Sequence, residues 1–409
     1  MSAKSRLIVT LADIQAAKHE LHQYLPPSPL LLNAWLSEAM GCQVYLKLEN
    51  MQPIGSFKIR GATYKISQLS SKDRRRGVIA ASAGNHAQGV AWGSRRLGVR
   101  SQIVMPRNAP LVKVQNTRAL GAEVVLAGDD YNEAHTEARR LARKSGRVFV
   151  HAFEDEQVIA GQGTVGLEIV EQLEDVDAVI GAIGGGGLMA GVSTVFKEMK
   201  PEVLMIGCQA KGAASMLQSL KKGRAIKLGG VETFADGIAV KEASEPMRKF
   251  LSTRIDRMLQ DDDEGIANAI LMLMEKAKVI SEGSGALPLA VLEQLRKPLK
   301  GKKVVLIVGG GNIDVNVLGR IIDRGLIRAG RRVRVNVVLS DRPGSLARLT
   351  ELIAHQGANV LQAIHDRSEP STHIDETEVA LTLETRGPDH SRSLIQALRE
   401  HVIRFELTH

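Results

Sequence analysis

The chain has 409 residues, 44% of them hydrophobic, which is too long for one ordinary core and points to two or three domains. Two cysteines, Cys42 and Cys208, are too few for a disulfide framework and suit a reducing cytosol. The net charge of +9 is spread over short basic runs with few interleaved aromatics, so a solvated basic surface is expected and nucleic acid is not an expected partner. No apolar stretch is long enough for a signal peptide or a membrane span, and a soluble cytoplasmic protein is expected.

After a polar, scattered-helical start over 1–23, the segment 24–29 reads as a cap, followed by a helix over 31–40 and a strand over 43–48. A helix over 61–69, a strand over 78–81, a helix over 86–97, a strand over 102–105, a helix over 110–120 and a strand over 123–126 then alternate. Beyond 150 the alternation resumes, with strands over 178–183, 204–209 and 304–308 and helices over 161–171, 188–200, 264–276 and 287–294. Such alternation implies mostly parallel sheets, here as two α/β lobes with a cleft between them. The acidic run 261–264 starts a helix, where carboxylates suit the positive dipole end.

From about Arg331 the pattern changes to strand 333–339, helix 346–356, strands 359–365 and 374–383, helix 390–398 and strand 401–407. That is the split βαβ order of an α+β ferredoxin-like module. Asp341-Arg342-Pro343-Gly344-Ser345-Leu346 forms its first turn.

Three stretches carry chemistry. Gly55-Ser56-Phe57-Lys58-Ile59-Arg60-Gly61-Ala62 places one lysine among small and apolar residues. A desolvated amine loses its proton readily and can attack a carbonyl to form a Schiff base; the alternative is a surface lysine opening an amphipathic helix. Ser82-Ala83-Gly84-Asn85-His86-Ala87-Gln88-Gly89 joins a strand to a helix, so N–H groups face the cleft, although Asn85 also suits a plain helix cap. Gly184-Gly185-Gly186-Gly187-Leu188 follows an apolar strand and can close N–H groups around a phosphate. Gly185, Gly187 and Ala190 also match a dinucleotide fingerprint, though that motif usually opens the first βαβ unit.

In this order the three stretches resemble the pyridoxal-phosphate enzymes of fold type II (tryptophan synthase β-like), and among them the threonine/serine ammonia-lyases, over roughly residues 20–325. The C-terminal module with its Asp341–Leu346 turn resembles an ACT domain. The resemblance implies a catalytic domain over 1–320, with a small lobe of roughly 50–150 inserted in the large one. A connector over 321–332, centred on a helix-like stretch 318–329, would lead to an ACT domain over 333–409. It implies pyridoxal 5'-phosphate joined to Lys58, which then acts as base. Phe57, Asn85, Gly184, Gly185, Gly186, Gly187, Leu188 and Gly309 would complete the cofactor site. Ser82, Ala83, Gly84, Asn85 and His86 would line the substrate carboxylate, and Asp341, Gly344 and Leu346 would serve regulation.

Four positions depart from the family's patterns. Gly309 stands where a serine or cysteine commonly meets the pyridine nitrogen. Ala83 stands where racemising relatives carry a proton-donating serine. Gln209 and Ser215 replace carboxylates of a divalent-metal site, so no essential metal is expected. The implied activity is an L-threonine ammonia-lyase, also acting on L-serine, with the cofactor phosphate as the family's proposed general acid. Serine racemase, hydroxyaspartate dehydratase and a non-catalytic amino-acid sensor are the alternatives. A homodimer or homotetramer and an amino-acid effector such as isoleucine or valine are expected.

Overall fold

A computed structural model of the chain describes residues 7–367, 373–401 and 404–407. It divides into two compact units, Met1–Ile313 and Asp314–His409. Among the described residues no helix is long and apolar enough to cross a membrane.

The first unit contains two sheets. The larger runs Leu30–Leu32, Gln43–Leu48, Lys303–Val308, Ala178–Ala182, Leu204–Ala210, Arg257–Asp261, with every neighbouring pair parallel except the first. The smaller runs Glu123–Leu126, Ser101–Met105, Val78–Ala81, Val148–Phe149 and is wholly parallel. Its strands fall in sequence between the second and fourth neighbours of the larger sheet. The inner strands of both sheets read as continuous apolar runs because helices cover both faces. In open parallel sheets ligands gather at the carboxyl ends of strands, and all the singled-out loops of this unit begin there.

Sequence and structure differ in a few elements. Leu30–Leu32 is a strand rather than the start of a helix, pairing antiparallel with Tyr45, Leu46 and Lys47. The Asn33 side chain accepts from the Leu36 N–H and starts a shorter helix, Ala34–Met40. The helix beginning at Asp263 is α only to Met272, then widens into a π turn, Leu273–Ala277. Asp262 caps it by accepting from the Gly265 N–H, so the acidic run does lie at a helix start. The helix Gly283–Leu292 begins four residues earlier than its apolar pattern suggests. Its glycines conceal that start, and Gly285 is required because a Cβ there would lie 2.6 Å from the Gly310 carbonyl oxygen. The helix Tyr131–Ser145, capped by Asp130, and the strand Arg257–Asp261 escaped the periodicity reading.

The second unit opens with the helix Val315–Arg328, followed by a four-stranded antiparallel sheet ordered Asn359–Asp366, Glu376–Glu384, Arg332–Ser340, Arg404–Leu407. Helices Ser345–His355 and Pro388–His401 contribute Leu349, Ile353, Leu394 and Leu398 to its core, against Val335, Val337 and Leu381 of the sheet. This is the split βαβ arrangement. Val402 and Ile403 of the expected last strand lie outside the described residues, as do residues 368–372 and 408–409.

Candidate active site

Lys58 is the first residue of the helix Lys58–Ser67, with Phe57 as its N-cap. The Phe57 N–H donates to the Gly309 carbonyl at 3.0 Å, and Ser56 bridges to Gly310, which ties the lysine to the end of the strand Lys303–Val308. The Lys58 amine donates to the Ala152 carbonyl at 3.0 Å and lies 5.2 Å from the Phe57 ring centroid. Burial pushes its pKa down to about 8, opposed by the nearby Glu282 carboxylate. A lysine so placed supplies neutral amine near neutral pH, which an exposed one does not.

The loop after the strand Val78–Ala81 leads into the helix Asn85–Arg96. Ser82 Oγ accepts the Gly84 N–H at 3.1 Å, so that N–H is turned into the loop, while the first-turn N–H groups of the helix have no intrahelical acceptor. His86 is buried, and its Nε2 lies 3.0 Å from the Val150 carbonyl. A carbonyl only accepts, so Nε2 carries the proton and Nδ1 is left buried without a partner. Burial, then Lys58, push His86 down to about 3. Ala83 is half-buried against the apolar core of the smaller sheet.

The glycine stretch turns the strand Ala178–Ala182 into the helix Gly187–Met199, with Gly186 at φ 99°, a conformation that favours glycine. A Cβ on Gly185 would sit 2.2 Å from the Phe153 ring, one on Gly187 3.0 Å from Phe153 Cα, and one on Gly186 2.7 Å from Met247 Cγ. The missing side chains therefore admit protein. What remains for an anion is the set of first-turn N–H groups. Leu188 points into the core and offers only its backbone.

Glu282, the N-cap of the helix Gly283–Leu292, was not singled out in the sequence. Its carboxylate accepts from Asn85 Nδ2 at 2.9 and 3.0 Å and from the Ser284 hydroxyl. Asn312 Nδ2 donates to Asn85 Oδ1 at 2.8 Å and to the Ile54 carbonyl at 2.7 Å. A Cβ on Gly310 would lie 2.7 Å from Glu282 Oε1, so the carboxylate stands directly beside the Gly309–Gly310 turn. Small residues around Glu282 were the only sequence signal. His151 was missed too: its Nδ1 accepts from the Phe153 and Glu154 N–H groups at 3.3 and 2.9 Å and holds the turn carrying the Ala152 carbonyl.

Lys58, Phe57, Asn85 and Gly309 thus come together through Glu282, Asn312 and the Gly309 carbonyl. A buried amine with a lowered pKa and two helix N-termini that can face an anion fit an aldehyde carrying a phosphate. Gln209 and Ser215 are committed to backbone groups, Gln209 to Leu217 N–H and Ala213 carbonyl, Ser215 to the Val240 carbonyl. Among the described residues no group of three or more His, Cys, Asp or Glu is arranged to hold a metal.

In the second unit Asp341 accepts from Arg367 Nε at 2.9 and 3.1 Å. Gly344, at φ 87°, caps the helix Ser345–His355, and Leu346 packs partly buried on the core.

Residues 21–310 match the family model described as pyridoxal-phosphate dependent enzyme, and residues 333–401 match that of the ACT domain. An L-threonine ammonia-lyase of Thermotoga maritima is 47% identical over 392 residues, 96% of this chain and 97% of that protein. The structure of processed threonine deaminase isoform 2 from Solanum lycopersicum superposes with a TM-score of 0.74 at 40% identity, covering 78% of this chain and 90% of the other. That of maize serine racemase gives 0.73 at 30% identity, covering 78% and 98%. The two-lobed architecture is that of fold type II, and the chain belongs to the pyridoxal-phosphate dependent enzyme family, with a C-terminal ACT domain.

Proposed function

We propose that the protein is an L-threonine ammonia-lyase, converting L-threonine to 2-oxobutanoate and ammonia and acting also on L-serine to give pyruvate. The observation that carries this reading is the buried Lys58 amine, lowered to about 8, in a chain similar over nearly its whole length to an L-threonine ammonia-lyase. The bound cofactor supplies an electron sink for the substrate's α-carbanion. Lys58 would hold the cofactor, and its amine is the base that would take the proton from the substrate Cα. Phe57 flanks that amine, and Asn85, oriented by Glu282 and Asn312, would hold the cofactor hydroxyl. The first-turn N–H groups after Gly184–Gly187 would hold the phosphate. Those of Asn85 and His86, beside Ser82, Ala83 and Gly84, hold the substrate carboxylate. The β-hydroxyl leaves as water, and the released enamine takes up water to give the oxo acid and ammonia.

The likeness to maize serine racemase raises racemisation as a second reading. Ala83 opposes it, since a methyl group cannot return a proton to the face opposite Lys58. The catalytic domain ends near the start of the helix Val315–Arg328, the ACT unit binds an amino-acid effector, and the chain works as a cytoplasmic homo-oligomer, which pairing of sheet edges in the ACT unit favours.

Incubation with pyridoxal 5'-phosphate should give a visible absorption band that borohydride abolishes with modification of Lys58, and L-threonine should then yield 2-oxobutanoate. A chain that binds amino acids without either result is a sensor and not this enzyme.

A further inference from the structure

Arg60 lies two residues after Lys58 on the helix Lys58–Ser67, so at about 100° per residue the two side chains leave the helix roughly on opposite faces. Arg60 is 2% exposed and forms two forked pairs. Nε and Nη2 donate to Glu49 at 2.7 and 2.8 Å, and Nη1 and Nη2 donate to Glu168 at 2.6 and 2.8 Å. Lys47, wholly buried, donates to Glu168 at 2.6 Å, to the Ser28 carbonyl at 2.8 Å and to Gln172 at 2.9 Å. Two cations and two carboxylates thus balance in the interior, joining the end of the strand Gln43–Leu48, the helix Glu156–Gln172 and the back of the helix that carries Lys58.

Burying four charges is a poor route to stability, because well-packed apolar side chains of similar volume do as well or better. Forked guanidinium–carboxylate pairs do impose direction. The Arg60 forks are the strongest directional groups at this helix contact. A Cβ on Gly161 would lie 2.6 Å from Gly61 Cα, so the helices Lys58–Ser67 and Glu156–Gln172 meet backbone to backbone there, with Gln162 Oε1 accepting the Gly61 N–H at 3.2 Å and Lys65 paired with Asp155 at 2.9 Å on the same seam.

We propose that Arg60, Glu49, Glu168 and Lys47 form a positioning cluster that fixes the rotation and depth of the helix start, and so aims the Lys58 amine at the Ala152 carbonyl and the cofactor aldehyde. The inference rests on the reading of Lys58 as the cofactor lysine. Arg60 touches no reacting atom and acts through Lys58.

The test uses the full chain and two variants. Arg60→Lys keeps one cation but loses both forks, and a cavity of about 20 Å³ bordering Arg60, Thr164 and Glu168 has room for one water in place of the lost atoms. Glu168→Gln keeps the fork to Glu49. For cofactor-free protein, the rate at which pyridoxal 5'-phosphate becomes borohydride-trapped on Lys58 is measured against pH, beside the melting temperature, kcat and KM. The expected result for folded Arg60→Lys is trapping slowed about tenfold or more, a displaced pH midpoint, and kcat lowered about tenfold with KM changed less than about threefold. Trapping per folded molecule at the wild-type rate and pH midpoint, with only the melting temperature lowered, overturns the proposal. Loss of folding in both variants also overturns it, since the cluster then serves the core. A wild-type chain that traps no cofactor on Lys58 overturns the underlying reading first, and this inference with it.

Discussion

Asn85 donates its side-chain amide to both carboxylate oxygens of Glu282, at 2.9 and 3.0 Å, across 197 positions of sequence. The carboxylate thereby sets which way the amide points, and Asn312 confirms the orientation by donating to the other end at 2.8 Å. Glu282 also raises the Lys58 pKa against burial. Glu282→Gln removes the charge and retains the shape. The pH midpoint for cofactor capture by Lys58 should fall by about half a unit or more relative to the wild type. An unchanged midpoint would remove Glu282 from the electrostatics of the site.

Lys58→Met should lower lyase turnover by about three orders of magnitude or more, because it removes the covalent anchor and the base together. It should also stabilise the cofactor-free protein. The folded pKa of about 8 lies below the ordinary 10.5, so the cost of burying the charge is fully present below pH 8 and disappears as pH rises to 10.5. Allowing for partial exposure, the gain at pH 7 is roughly 1–2 kcal/mol. Denaturant titration at pH 7 and at pH 10.5 checks both magnitude and sign.

His86 and His151 act in the same direction as Lys58 but in a more acidic window. Burial depresses them to about 3 and about 4, below the ordinary 6.5, so the unfolded chain takes up protons first and stability falls as pH drops below 6.5. His86→Gln, which keeps a donor for Val150, should flatten the stability profile between pH 6.5 and 4. If its slope matches that of the wild type, His86 is not a source of the acid lability.

Ala83 has no side-chain proton donor. L-Serine should therefore yield pyruvate with little D-serine, measured by chiral chromatography. Ala83→Ser should raise the D-serine fraction by about tenfold. D-Serine formed by the wild type at a rate comparable with pyruvate would transfer the assignment to racemase.

The turn Asp341–Leu346 should respond to amino acids. Gly344 at φ 87° has open space around its missing Cβ, the nearest atom being 3.7 Å away on Arg348, so Gly344→Val strains the backbone of the turn itself. Calorimetric titration with isoleucine or valine should show binding to the full chain that weakens about tenfold in this variant and in Asp341→Ala, which also frees Arg367. Equal binding by all three forms would place the effector elsewhere.

Much of the fold was legible locally. Apolar runs bounded by glycines marked the inner strands, and the strands over 43–48, 78–81 and 123–126 coincide with expectation. Helix and strand periods depend on neighbours a few positions away, so the chain's own pattern is enough. The exceptions have local causes of another kind. Asn33 capping cut short the helix after Leu32, and the glycines of 283–285 hid a helix start.

The sequence by itself determined the lysine, the asparagine loop, the glycine turn and their order, because each motif lies within a few adjacent residues. Only the tertiary structure decided what those residues meet. The Ala152 carbonyl reaches Lys58 from 94 positions away, Phe153 occupies the space over Gly185, and Glu282 turns Asn85. Arg60 shows the difference most plainly: in sequence it is one more charged residue beside a lysine, while in the fold it is enclosed by Glu49 and Glu168. A charge is tolerated in the interior only where opposite charges and hydrogen-bond partners arrive with it. Those partners come from remote strands and helices, and no local pattern specifies where they meet.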